Sequence, residues 1–212
     1  MKVHVPDEIR RSALFRRGGW SVLTSWPEPR LAAALLGEAL TQMSEASESA
    51  IAAPDAEDVR GGNPRRRFLS APGSAVQSAW YTDGALRGEL SAVIGAPLTP
   101  AGLGGTYTYY VGPGDFIAIH RDIVTCDVAL VTCLHDNGGR GNCGATCLWP
   151  SRVFEPLSVV RADPERGAVV QRLEPGDSLL LLGGVVPHAV LPVDAGQRRV
   201  VSVLCFEVPP DR

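Results

Sequence analysis

Apolar and polar positions follow two different rhythms along this chain. Up to about residue 104 the stronger signal is helical. Leu31, Leu35, Leu36 and Leu40 fall on one face of an alanine- and leucine-rich stretch, which predicts an amphipathic helix over 31–43. Pro27 and Pro29 mark its boundary, and Pro29 suits a first helical turn. Leu86, Leu90, Val93 and Ile94 share a face in the same way and predict a second helix over 85–94, closed by Gly95 and Pro97. Ahead of both, Trp20, Val22 and Leu23 mark a short strand within 18–24.

From Gly105 onward the texture is that of strands. Runs at 106–111, 116–119, 127–134, 146–149, 168–173, 178–182 and 199–208 are rich in β-branched and aromatic residues, and Gly, Pro and Asp turns separate them. Helices followed by seven or more short strands predict an α+β, mainly β chain. Its core would be a double-stranded β-helix (jelly roll, cupin-like) with N-terminal helices packed outside. There is no internal repeat and no linker long enough to separate a pair of domains. The expectation is a single domain over 1–212, with a helical segment to about 104 and the jelly-roll core at about 105–208.

Composition narrows the function classes. A net charge of −3 over 212 residues gives no nucleic-acid-binding surface. The longest apolar run, near 178–186, is about half a membrane span and reads as a buried strand. The first eleven residues hold charges and a proline with no apolar h-region, so no secretory signal is expected. The five cysteines, at 126, 133, 143, 147 and 205, read as reduced and structural, in a cytoplasmic protein.

Three features could carry chemistry. His120 and Asp122 flank Arg121, and residues i and i+2 of a strand point the same way, so an imidazole and a carboxylate can converge on one metal ion. His188 follows Pro187 at the end of an apolar run, 68 residues on, where a satisfied core histidine is the alternative. Arg198 and Arg199 stand at the entry to the apolar run 200–206. A cation entering a buried strand needs an anionic partner, and neighbours on a strand face opposite sides. Together they make the two-His-one-carboxylate facial triad of non-haem iron(II) chemistry. Residues 63–67, Asn-Pro-Arg-Arg-Arg, form a basic cluster; a solvated turn before a strand is one reading, a hold on an anionic substrate the other.

Residues 110–122, Tyr-Val-Gly-Pro-Gly-Asp-Phe-Ile-Ala-Ile-His-Arg-Asp, resemble the first metal-binding segment of the 2-oxoglutarate/Fe(II) dioxygenase superfamily, prolyl-hydroxylase-like branch. Residues 175–204, with Pro187-His188, Pro192-Val193 and the two arginines, are similar to its second segment, and 141–150 resemble its intervening glycine-rich strand more weakly. The likeness spans about 105–207. It implies that His120, Asp122 and His188 bind Fe(II), and that Arg198 binds the C5 carboxylate of 2-oxoglutarate. Arg199 is the rival for that role, because a one-residue register shift exchanges which arginine faces inward. Ser202 would share the face of Arg198, and Tyr110 would reach the co-substrate or substrate. Tyr107 and Tyr109 default to core packing. The tyrosine often found after the His-x-Asp motif is missing here, and Thr132 or Cys133 stands in its place.

The reaction implied uses O2 and converts 2-oxoglutarate to succinate and CO2 while a substrate C–H bond is hydroxylated, with desaturation or cyclisation left open. A compact chain points to a small-molecule substrate, and the Ala-, Arg-, Gly- and Pro-rich composition is of the sort seen in high-GC bacteria, where such enzymes tailor natural products. Arg65 to Arg67 and Arg152 hint at an anionic one.

Four other readings compete. A zinc site from His135, Cys143 and Cys147 lacks a fourth ligand, and residues 135–147 read instead as a mobile loop near the mouth of the site. A cupin-type iron dioxygenase without 2-oxoglutarate would use three histidines and no distal arginine. A non-catalytic jelly-roll binding protein would keep the ligands by descent. A nucleophilic hydrolase lacks its Gly-x-Ser-x-Gly elbow.

Overall fold

The computed structural model describes residues 5–49, 60, 62–102 and 104–209. Two short helices, α1 (Asp7–Arg11) and α2 (Ala13–Arg16), precede β1 (Trp20–Leu23), α3 (Pro29–Gln42), β2 (Ser47–Glu48), β3 (Arg66–Arg67) and β4 (Leu69–Pro72). Then come α4 (Ala75–Thr82), α5 (Gly84–Ile94), β5 (Thr99–Pro100), β6 (Thr106–Tyr110), β7 (Phe116–His120), β8 (Val128–Asp136) and β9 (Thr146–Leu148). The chain closes with α6 (Leu157–Ala162), β10 (Val169–Gln171), β11 (Ser178–Leu181), β12 (His188–Val190) and β13 (Arg199–Glu207). Residues 50–59 and 61 lie outside the described residues.

The strands form two antiparallel sheets. The larger runs β1-β11-β8-β13-β6-β4-β2, with β5 added beside β13; the smaller runs β10-β9-β12-β7-β3. This is the expected jelly roll with its helices outside. The larger sheet separates two environments by simple alternation. Arg199, Val201, Val203 and Cys205 of β13 face a cavity between the sheets. Val200, Ser202, Leu204 and Phe206 face the other way and are buried. Leu130, Leu180, Leu204 and Phe206, all fully buried, each contribute roughly 1.5–3 kcal/mol of apolar burial.

The helical layer is locked to that back face by one carboxylate. Glu38 of α3 accepts from the backbone N–H groups of Ser74 (3.2 Å), Val76 (2.6 Å) and Gln77 (3.0 Å). It thereby caps α4, whose own N-cap serine makes no side-chain bond. Tyr107 donates to the same carboxylate at 2.7 Å, and Tyr109 donates to Ala39 O at 2.6 Å. Both tyrosines are therefore structural, as their default reading holds.

Several expectations shift. In α3, Leu35 and Ala39 are the buried pair, and Leu40 turns outward at 58% exposure. α4 was not legible as a helix, since its N-terminus is capped from a distant residue. The helix over 85–94 forms as α5, capped by Asp83 Oδ1 accepting from Ala85 N at 2.9 Å. It ends at Gly95, whose φ of 78° is left-handed and whose Cα sits where a Cβ would meet Ala13 at 3.0 Å. Cys126 and Cys205 form a disulfide across 79 residues, against the expectation of five reduced thiols; Cys133, Cys143 and Cys147 are free. No helix among the described residues is long and apolar enough to cross a membrane.

Candidate metal centre and active-site cavity

β7 and β12 lie side by side in the smaller sheet, with His120 directly opposite His188. β7 ends at His120, so Asp122 sits just past the strand rather than within it. Its backbone N–H donates to Gly183 O at 2.9 Å, which turns the carboxylate back toward the histidines. Asp122 Oδ1 is 3.6 Å from His120 Nε2 and 3.5 Å from His188 Nε2. The three ligand atoms lie within 4.8 Å of one another, and this is the only such His/Cys/Asp/Glu group among the described residues. The zinc reading of His135, Cys143 and Cys147 finds no cluster there.

The imidazoles are oriented for a metal. His120 Nδ1 is 2.9 Å from Ala118 O and His188 Nδ1 is 2.9 Å from Val186 O. A carbonyl only accepts, so each Nδ1 carries the proton and each Nε2 lone pair points at Asp122. Burial alone would push Asp122 up, yet the two histidines beside it hold its carboxyl well below the usual range. Burial pulls His120 below 6.5, with His188 adding to the effect. His188 is also opposed by burial, but its contacts with Asp122 raise it above 6.5.

Two residues that make this geometry possible carry no chemical signal of their own. A Cβ on Gly183 would lie 1.8 Å from Asp122 Oδ2, so the carboxylate occupies the space a side chain would fill. Arg121, just past the strand, is buried and turned to other partners. Its guanidinium donates to Val185 O (2.8 Å), Val153 O (3.0 Å) and Glu155 O (2.9 Å), tying the His-x-Asp segment to the approach to His188.

The triad opens onto a cavity of ≈ 310 Å³ between the sheets. Its walls are largely apolar, with Phe68, Val131, Leu179, Leu181, Val201 and Val203 among them. On the larger sheet, three strands present one row of polar groups: Tyr110 of β6 pairs with Arg199 of β13, which pairs with Asp136 of β8. Arg199 is 1% exposed and lines the cavity. Its NH1 meets Asp136 Oδ2 at 3.1 Å and Cys133 Sγ at 3.4 Å, while its buried Nε has no partner.

Arg198, the arginine preferred from the sequence, is placed elsewhere. It is exposed, does not line the cavity, and its backbone N–H donates to Asn137 Oδ1 at 2.7 Å. β13 begins one residue later than that preference required, so the inward set is 199, 201, 203 and 205. Ser202 accordingly faces the helices and accepts from Gln77 Nε2 at 2.7 Å. Tyr110 lines the cavity and packs on Phe68 at 5.2 Å between ring centroids. Burial raises its phenol above the usual range, so it stays protonated and able to donate.

Thr132 and Cys133 do not line the cavity. Thr132 bonds Ser178 Oγ at 2.7 Å, and the threonines that do line the cavity are Thr106, Thr108 and Thr146. Arg152 is buried and spent on Glu155 Oε2 and on the carbonyls of Asp163, Arg166 and Val159, which removes it as an anion receptor. The 135–147 segment packs against 191–197, through Gln197 Nε2 to Cys143 O and Arg140 N to Asp194 Oδ2, and contributes nothing to the cavity wall before Thr146.

No protein-family model matches the sequence, and no curated protein matches it. Solved structures match along nearly the whole chain. The epimerase SnoN in complex with Fe3+, alpha ketoglutarate and nogalamycin RO is 13% identical over 92% of this chain and 80% of its own, with a TM-score of 0.69. A Pseudomonas putida prolyl-4-hydroxylase is 19% identical over 96% of both chains, TM-score 0.58. HygX from Streptomyces hygroscopicus, with nickel and 2-oxoglutarate bound, is 13% identical over 91% of this chain and 84% of its own, TM-score 0.61. The chain thus has the fold on which 2-oxoglutarate/Fe(II) oxygenases are built.

Proposed function

We propose that this chain is a non-haem Fe(II)- and 2-oxoglutarate-dependent oxygenase acting on a small molecule, with hydroxylation as its reaction. The observation that carries the reading is the placement of a two-His-one-carboxylate set and a buried, incompletely bonded arginine in one cavity. Two Nε2 lone pairs and an ionised carboxylate suit a borderline divalent metal, and three protein ligands leave coordination positions free. His120, Asp122 and His188 would hold iron, and Arg199 would receive the distal carboxylate of 2-oxoglutarate in a fork that uses its free Nε.

Bound there, the metal with its co-substrate supplies dioxygen activation, yielding succinate and CO2 and oxidising a substrate C–H bond. The chain's own role is to bind, orient and exclude water. Tyr110, neutral and beside Arg199, donates to the co-substrate. The apolar walls keep the reacting centre dry and leave room for a second small molecule. The likeness to enzymes whose structures hold Fe3+ or nickel with the same co-substrate supports this reading.

A second reading, an iron dioxygenase independent of 2-oxoglutarate, draws on one observation: Asp136 already neutralises Arg199. The test is succinate release from purified protein given Fe(II), ascorbate, O2 and 2-oxoglutarate. The oxygenase produces succinate slowly even without its primary substrate, and His188→Ala abolishes it. Oxygen consumption that ignores 2-oxoglutarate would favour the second reading.

A further inference from the structure

We propose that Arg66 is the docking point for an oxyanion, a carboxylate or a phosphate, on the primary substrate. This rests on the oxygenase reading for the metal and the reaction, and it adds the class of molecule that enters.

β3 is the edge strand of the smaller sheet, and Arg66 stands directly opposite Ile117 of β7. Directly opposed residues of antiparallel strands share a face. Ile117 lines the cavity, so Arg66 stands on the cavity side. In a regular strand Ile117 and His120 would point to opposite faces. Here the step from Ile117 to His120 faces the shorter step from Val190 to His188, which is a bulge, and both residues reach the same cavity. Arg66 is thus on the face of the metal ligands, roughly 10 Å along the strand from His120.

Two openings meet at this side chain. A recess of ≈ 150 Å³ joins Arg66 to Ile117, His120 and Asp122, and a groove of ≈ 690 Å³ joins it to Ser49 and Phe68 of the main cavity. No carboxylate within the described residues pairs with Arg66. Its Nε donates to Pro64 O at 3.3 Å and its NH2 to Asn63 Oδ1. Arg67, one residue on, is by contrast committed to Asp115 at 3.1 Å and to Pro113 O. Burial lowers the pKa of Arg66, the mark of a cation partly stripped of water without a counter-charge. Glu48 lines the outer groove, and the one carboxylate of the inner recess, Asp122, is the one assigned to the metal, so neither pairs with Arg66. The substrate this defines has an apolar body for the Leu179, Leu181 and Val203 walls of the cavity and an anionic end that reaches Arg66 in the adjoining openings.

The test uses the full chain loaded with Zn(II) and saturated with 2-oxoglutarate, so that no turnover occurs. 4-Fluorobenzoate, 4-fluorobenzyl phosphate and neutral 4-fluorobenzamide are titrated by fluorine NMR. One or both anions bind tighter than the amide, and the tighter one identifies the group. Arg66→Gln weakens that anion roughly tenfold or more, Arg66→Lys restores some of the loss, and Arg67→Gln leaves it unchanged. Anions that bind no better than the amide overturn the proposal, as does equal weakening by Arg66→Gln and Arg67→Gln, which would be a general charge effect. Zn(II) and 2-oxoglutarate binding are measured separately in the same samples. If those fail while the anion preference and its Arg66 dependence persist in the metal-free chain, the oxygenase reading falls and the anion site stands.

Discussion

At the scale of single residues, the site is governed by which lone pairs and which cations face inward. Each ligand histidine is fixed by a bond to a carbonyl two residues before it, so Nε2 is free for metal without rearrangement. Protons and metal compete for that lone pair, and His188 is the stronger competitor for a proton because Asp122 raises its pKa above 6.5. Metal affinity therefore falls as pH drops through the region around and above 6.5, whereas His120, held below 6.5, contributes little there. A metal titration across neutral pH that showed no loss on the acid side would contradict this. The arginine assignment gives a second prediction. Arg199→Ala raises the 2-oxoglutarate requirement roughly tenfold to a hundredfold, from loss of a charge-assisted fork, and Arg198→Ala leaves it unchanged; steady-state KM for 2-oxoglutarate reads both. His120, Asp122 and His188 were legible in the sequence because chemistry selects residue types. The choice between adjacent arginines was not, because it depends on where β13 begins and on the kink in its pairing with β8 between Val200 and Val201.

At the scale of elements, the metal site is built from a three-residue strand, a bulge and a glycine. β12 carries no pattern of its own in the sequence: it is three residues long, and Pro187 and Pro192 bracket it. The bulge in β7 was equally hidden, since it exists only relative to its partner. The seven β-runs from 106 to 208 and the two helices over 31–43 and 85–94 were legible, because their patterns are intrinsic to the segment. Gly183 offers the sharpest test of the local packing. Gly183→Ala puts a methyl group where the Asp122 carboxylate now sits, so the chain still folds but holds metal roughly 10–100-fold more weakly. Unchanged affinity, measured by competition with a chromogenic chelator, would show that Asp122 is not held there.

At the scale of the whole molecule, the smaller sheet positions the two histidines, with Asp122 just past β7, and the larger sheet presents the Tyr110–Arg199–Asp136 row, so the site exists only when the two sheets face each other across the cavity. The Cys126–Cys205 bond contributes to that closure. It joins the loop after the His-x-Asp motif to β13, and Cys126 Sγ lies 3.7 Å from Asp122 Oδ2. Five scattered cysteines could not announce this pairing, because their proximity is created by the sheet order. Closing a loop of this length stabilises a chain by roughly 4 kcal/mol. Reduction should therefore lower the urea midpoint, and Cys205→Ser should lower it equally and make it insensitive to reductant. A midpoint unmoved by reductant would remove the bond from the account.

The most direct test of the central claim is an anaerobic spectral titration. Fe(II) is added to the metal-free protein, followed by 2-oxoglutarate, and the visible charge-transfer band of a metal-chelated 2-oxo acid is followed. The account predicts that the band appears, is lost in His188→Ala, needs a higher 2-oxoglutarate concentration in Arg199→Ala, and is unaltered in Arg198→Ala. Iron binding without the band would contradict the role given to 2-oxoglutarate, and no iron binding at all would contradict the metal centre itself.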